Sequence, residues 1–336
     1  MQLLSVVIIT KNEARNIAKA IESVQRALQA WPESAILVVD SVSTDQTIEI
    51  AKNYPVQIIR LDENYFLSPA AGRFIGFKHC NSQYVFFLDG DMSVDESWFE
   101  NALPVMEANP QLAGIAGKCK EFIYNEQQEV IEEIADRFHT GSEPKTLFSL
   151  GGSVLYRSSA LQAVGSFNPY LANEEELELG MRLRRADFLL QRIPVPMTTH
   201  FTQYYGNENP SGLTWRQVRR DWRMGRYDAL GKVLFLLWKN PYKGEFIKQY
   251  RKGLAFLGLY FLGFIFVLAD IILLFMVWLP VFLGLLISRA LLKRHLLDTL
   301  LFFLEHSLVA YGFLWGIISP LPKADSYQPK LEFINK

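Results

Sequence analysis

The chain is poor in cysteine: Cys80 and Cys119 are the only two in 336 residues, and neither lies in a C-x-x-C or other metal-like spacing. That excludes a disulfide framework and a thiolate metal cluster. Net charge is close to absent as well, with 34 Lys and Arg against 35 Asp and Glu, so no global basic excess points to nucleic acid. There is no internal repeat and no low-complexity tail. The start, Met1-Gln2-Leu3-Leu4-Ser5-Val6-Val7-Ile8-Ile9-Thr10, is apolar but has no basic leader and meets Lys11 and Glu13 early. A secretory leader carries a charged segment first, so the amino-terminal part is expected to stay in the cytoplasm.

What is present is unevenly spread. Residues 182–252 hold fifteen Lys and Arg against five Asp and Glu, directly before strongly apolar sequence. A basic collar abutting apolar spans suits a cytoplasmic juxtamembrane segment, and no nucleic-acid partner is expected. A helix over 215–228 would mix Trp215, Trp222 and Tyr227 with arginines, as suits a membrane interface. Residues 253–288 contain no Lys or Arg and one acid, Asp270. At about 1.5 Å per residue this stretch exceeds a hydrocarbon core of about 30 Å. Residues 296–319 form another candidate span, although Asp298, Glu305 and His306 would be expensive in lipid. The expected organisation is a catalytic domain over 1–230, a basic interfacial segment over 231–252, two or three transmembrane helices over 253–319 and a short polar tail over 320–336.

Within the first 230 residues, short apolar runs at 5–10, 35–39, 56–61 and 84–88 alternate with helical patterns at 17–30, 46–53 and 69–80. Positions Ile17, Ala20, Ile21, Val24 and Leu28 keep the 3.6-residue period. This alternation predicts an α/β fold built on a doubly wound sheet. A helix over 95–108, a strand over 112–120, a helix and loop over 122–144 and a last strand over 193–200 complete the pattern.

Polar features stand at the ends of these elements. Tyr84-Val85-Phe86-Phe87-Leu88 runs straight into Asp89-Gly90-Asp91. Parallel sheets place ligand sites beyond the carboxyl ends of their strands, so the two carboxylates face a solvated cleft or a cation, unless the segment is an ordinary turn. Thr10-Lys11-Asn12-Glu13 follows the first strand, and Asp40 with Ser41 and Ser43 follows the second. Gly151-Gly152-Ser153 permits close backbone approach. Glu174-Glu175-Glu176-Leu177-Glu178 opens a helix, where acids also have a purely structural use against the dipole.

Taken in order, these motifs resemble the family 2 glycosyltransferases of the GT-A fold, over residues 3 to about 230. The resemblance implies that Thr10, Asn12, Glu13, Asp40, Ser43, Arg73, Asp89 and Gly90 bind a nucleotide-sugar, with Asp40 on the base. Asp40 could instead cap the next helix together with Ser41 and Ser43, and Arg73 could be a surface residue. Asp91, with Asp89, would hold Mg²⁺ or Mn²⁺ on the diphosphate; His200 would be a further ligand or a core histidine. Glu176 is expected as general base, with Glu175 open for the same role, because the family's Glu-Asp pair is Glu-Glu here. Gly151, Gly152 and Ser153 would line the acceptor side.

The expected enzyme is a metal-dependent, inverting hexosyltransferase of the bacterial inner membrane with its catalytic domain on the cytoplasmic face. It would move sugar from a UDP-sugar or similar donor to a lipid-linked or membrane-embedded acceptor in cell-envelope, polysaccharide or glycolipid biosynthesis. A polyprenyl-phosphate sugar synthase is the nearest rival, and a catalytically silent membrane scaffold is the rival of another class. Processive members carry Gln-x-x-Arg-Trp. Here Gln217-Val218-Arg219-Arg220-Asp221-Trp222 is one residue too long, which favours a single transfer.

Overall fold

The computed structural model describes residues 2–204, 214–268, 274, 276, 278–281, 283–284, 287–288, 296–319 and 321–335. Its elements begin with β1 (Gln2–Thr10), α1 (Ile17–Ala27), β2 (Ala35–Asp40), α2 (Thr47–Ala51), β3 (Gln57–Arg60), α3 (Pro69–Lys78) and β4 (Ser82–Asp89). Then come β5 (Met92–Val94), α4 (Trp98–Ala108), β6 (Leu112–Tyr124), β7 (Val130–Ile134), β8 (Lys145–Leu147) and β9 (Val154–Arg157). The chain continues through α5 (Ser158–Val164), α6 (Glu175–Arg185), β10 (Leu189–Gln203), α7 (Trp215–Arg223), α8 (Arg226–Leu236) and α9 (Lys243–Gln249). It ends with α10 (Arg251–Leu268), α11 (Leu296–Ile318) and β11 (Glu332–Asn335).

Two compact units result, one of residues 1–171, 175–207 and 322–336, the other of 172–174 and 208–321. In the first unit β1 is central, parallel to β2 on one side and to β4 on the other. Both faces of these strands are covered, which is why they read as unbroken apolar runs. Phe86 meets Trp98 and Phe99 of α4 on one face, while Phe87 meets Phe167 on the other, at 5.3 Å between centroids. Each such ring contributes about 1.5–3 kcal/mol by leaving water. Gly76 lets α3 lie against Val7 of β1, where a Cβ would come within 2.3 Å of a methyl.

The expected doubly wound sheet describes only the β3-β2-β1-β4 half. Beyond β4 the sheet is mixed: β9 runs antiparallel to β4 and β6, β10 is parallel to β6, and β5 closes the edge antiparallel to β10. The helix expected in 122–144 is replaced by β7, which folds back on β6 as a hairpin. Residues expected as a polar tail return to the first unit, where β11 pairs antiparallel with β3. Tyr327 anchors that return: it is fully buried, its hydroxyl donates to the Phe66 carbonyl at 2.7 Å, and Tyr65, Phe74 and Tyr170 surround its ring.

In the second unit, the single helix expected over 215–228 is two helices. Gly225, at φ 66°, ends α7 and starts α8. Thr214 and Gln217 form a capping box at the start of α7, so the Gln217 side chain is occupied within its own helix. Gly231 faces Gly312 and Gly316, which brings the α8 and α11 backbones into contact. Among the described residues, one helix, over Thr299–Ile318, is long and apolar enough to cross a membrane, or two if the bent pair α9–α10 counts as one span. The remainder of the two or three expected passes falls largely outside the described residues.

Candidate active site

The carboxyl ends of β1, β2 and β4 lie side by side, because Thr10 pairs with Asp40 and Ile9 with Asp89 in register. The loops that follow tie together. Asn12, at φ 59°, accepts from Thr44 N and donates its own N–H to Ser43 Oγ, each at 2.8 Å. Glu13 N donates to Thr47 Oγ1, and Ala14 N to Asp45 Oδ2. Asp40 is fully buried and accepts from both the amide and the hydroxyl of Ser43, with Arg60 Nε 3.9 Å away. Asp40 and Ser43 thus shape the second loop. Gly90 nestles against the first, since a Cβ there would stand 2.7 Å from Thr10 Oγ1, itself a buried hydroxyl with no partner among the described residues.

Arg73 of α3 is not a surface residue. It is 2% exposed, and its guanidinium joins Asp89 Oδ1 and Glu175 Oε1 at 2.8 Å each, with Glu176 Oε1 at 3.3 Å. One buried cation therefore connects the end of β4 to the start of α6. A buried guanidinium requires such paired carboxylates, and Arg is suited to the task by its fork of donors. Burial pushes the Glu175 carboxyl above its ordinary range, the neighbouring Glu176 charge adds to this, and Arg73 opposes both. Glu175 is 4% exposed, whereas the Glu176 side chain is 20% exposed. Glu178 is a structural member of the cluster: Arg182 grips both its oxygens at 2.7 Å.

Gly152 is tied to the same hub, because a Cβ there would lie 2.5 Å from an Arg73 nitrogen and 2.9 Å from Asp89 Oδ2. Gly151 has φ 85° beside the Phe138 ring. Ser153, by contrast, is buried with its hydroxyl directed at the Met92 sulfur at 3.0 Å, so it does not present that group to an acceptor.

Asp91 faces away from Arg73 and toward His200, whose Nε2 is 3.1 Å from Asp91 Oδ2. Burial would lower the basicity of the imidazole, but the hydrogen bonds to Asp91 and Glu121 outweigh it and raise the His200 pKa to about 9. Glu121 is held at about 2: burial opposes ionisation, and His200, Thr202 and Arg137 overcome it. Among the described residues, no three His, Cys, Asp or Glu side chains form a set able to hold a metal ion. Asp91 also lines an open cleft of about 1000 Å³, together with Asn12, Glu13, Lys19, Tyr124 and Gln203. Burial raises the Glu13 carboxyl to about 7, with Asp91 and Asp45 adding to the shift and Asn16 opposing it.

Residues 5–165 match the sequence profile of Glycosyl transferase family 2. Over these residues the chain is similar to the family 2 glycosyl transferases. Glycosyltransferase AglE of Haloferax volcanii is 31% identical over 129 residues, covering 37% of this chain and 41% of that protein. Poly-beta-1,6-N-acetyl-D-glucosamine synthase of Staphylococcus epidermidis is 23% identical over 279 residues, 78% of this chain and 64% of the relative. The chain thus spans less than two thirds of either. Among solved structures, S. aureus TarS 1–349 in complex with UDP-GlcNAc superposes with a TM-score of 0.53 at 17% identity, over 72% of this chain and 68% of that one. The likeness carries the fold, a mixed α/β core of the GT-A kind.

In the first unit, sequence reading missed Glu121, Arg137 and Thr202. Glu121 and Thr202 meet His200 through the β6–β10 pairing, and Arg137 joins them from the loop after β7. They are separated by up to 81 residues in sequence, and no motif announces them.

Proposed function

We propose that this chain is an inverting glycosyltransferase that moves a sugar from a UDP-sugar to a membrane-borne acceptor. The observation that carries this reading is the Arg73 hub, a single buried cation that links Asp89 with Glu175 and Glu176. In the proposed reaction Asp89 meets the ribose, and Glu176 takes the proton from the acceptor hydroxyl as its oxygen bonds to the anomeric carbon. The bond from that carbon to the diphosphate breaks on the opposite face, and the nucleoside diphosphate leaves with the electron pair. Arg73 and Glu175 fix the position of Glu176, and Gly152 lets the backbone close on Arg73 and Asp89. A UDP donor is supported by the TarS complex with UDP-GlcNAc, and a sugar-polymer setting by the name of the staphylococcal relative.

Asp91 and His200 fit a divalent ion such as Mg²⁺ or Mn²⁺. Such ions are held by one or two carboxylates and complete their shell with substrate phosphates and water, which agrees with Asp91 at the edge of an open cleft; His200, 3.1 Å from Asp91, would add a nitrogen donor. Bound there, the ion would neutralise negative charge on the leaving diphosphate. The membrane-borne acceptor is supported by the apolar span in α11 and by α7, where Trp215 and Trp222 stand exposed among arginines.

A donor panel tests the proposal: nucleoside diphosphate release is followed with extracted membrane lipid as acceptor. At least one UDP-sugar should turn over, Asp91→Asn should abolish release, and Glu176→Gln should lower it by about 10²–10⁴-fold. Full activity in Glu176→Gln would transfer the reading to an acceptor that needs no base, such as a lipid phosphate. Full activity in Asp91→Asn would remove the metal role.

A further inference from the structure

Glu121 is a buried charge, 6% exposed, on a strand that the family resemblance left without a role. Burying a carboxylate without partners is costly, and here three donors converge on one of its oxygens. Thr202 Oγ1 lies at 2.6 Å, His200 Nδ1 at 2.9 Å and Arg137 Nη1 at 3.0 Å from Oε1. The other imidazole nitrogen, Nε2, points at Asp91. We propose that Glu121 is the positioning residue of the Asp91–His200 pair: by holding the Nδ1 proton it directs the Nε2 lone pair to the divalent ion that Asp91 binds. The proposal rests on the metal reading given above.

The physical reason is tautomeric. A histidine binds a cation only through an unprotonated nitrogen, and the partner of the other nitrogen decides which one that is. To hold the ion, Nε2 would release to solvent the proton it shares with Asp91, while the proton on Nδ1 would remain with Glu121. Because Glu121 and His200 are direct register partners on β6 and β10, backbone pairing sets this geometry and no flexible loop is involved. The competing arrangement would have Arg137, whose Nη1 is 2.7 Å from Nδ1, donate to an unprotonated Nδ1, which leaves the ring proton on Nε2 and no lone pair there for an ion. The two are mutually exclusive. The Glu121 arrangement is preferred because the Arg137 side chain is 43% exposed against 9% for Glu121, and Arg137 reaches the same carboxylate oxygen without needing Nδ1.

The experiment is a Mn²⁺ titration of the full chain in detergent, with free ion followed by electron paramagnetic resonance, alone and with UDP. Glu121→Met should weaken Mn²⁺ binding by about ten- to a hundredfold, Glu121→Gln should fall between it and wild type, and Arg137→Met should change affinity by no more than a few fold. Nitrogen-15 NMR of His200 with Mg²⁺ and UDP provides a reading that needs no variant: Nδ1 should carry the proton and Nε2 should not. A folded Glu121→Met with wild-type affinity would overturn the proposal. So would an Arg137→Met that weakens binding as much as Glu121→Met, or the opposite tautomer. If wild type itself binds no Mn²⁺, the metal reading fails first and this one with it.

Discussion

In the first unit the apolar runs vanish from the surface; in the second they remain on view. Phe86 and Phe87 are fully buried between helices, whereas Trp238, Phe261 and Ile318 are 62%, 61% and 72% exposed. The two regions are comparably apolar, so hydrophobicity alone does not decide burial. A strand in a sheet covered on both faces has partners above and below, while a long apolar helix meets protein along only part of its girth. Exposed apolar area costs about 25 cal/mol per Å² in water, and extended patches of this kind mark interaction surfaces. The proposed reading places that surface against lipid and keeps the polar chemistry in the first unit.

The sharpest break of this contrast is Arg73→Met. Three carboxylates would lose their shared cation, so transfer should vanish and stability should fall by about 3–5 kcal/mol in urea unfolding. Arg219→Gln, on the exposed face of α7, should shift unfolding by less than about 0.5 kcal/mol. Next, Phe86→Ala should destabilise by about 3–5 kcal/mol through the cavity it leaves. Phe261→Ala should leave unfolding in detergent nearly unchanged, and a comparable loss would show that Phe261 belongs to a protein core.

A smaller effect is expected at the interface helix. Replacing Arg219 and Arg223 together by Gln should weaken binding to vesicles containing anionic lipid by about 1 kcal/mol per charge, roughly fivefold each, with no change in neutral vesicles. The smallest concerns Glu13, raised from its ordinary 4.5 to about 7 by burial. A carboxyl whose folded pKa exceeds its unfolded one costs stability as pH rises from about 4.5 to 7. Glu13→Gln should therefore match wild type below that window and exceed it in thermal midpoint above it.

The same contrast explains what the sequence revealed. Strand β4 and its two aspartates were legible because five apolar residues in a row ending in Asp-Gly-Asp have few other uses. Arg73 and the glutamate pair stood at motif positions, although their joining in one ion cluster did not show. Strand β7 was hidden because Val130 and Ile131 are 50% and 43% exposed and Glu132 and Glu133 follow them, so no buried face repeats at period two. Strand β11 finds its partner β3 some 270 residues upstream, beyond any local pattern. Glu121 was invisible for the related reason that register, and not spacing, brings it to His200.

The central claim is that the first unit binds a nucleoside diphosphate at the ends of β1, β2 and β4. Thermal unfolding of the full chain with UDP and Mn²⁺ tests it most directly. A ligand that binds only the folded state, at about 100 times its Kd, stabilises by about 2.7 kcal/mol. The account predicts a rise of several degrees with UDP and Mn²⁺ together, a smaller one with UDP alone, and loss of the difference in Asp91→Asn. No rise with any nucleoside diphosphate, with or without the ion, would contradict it.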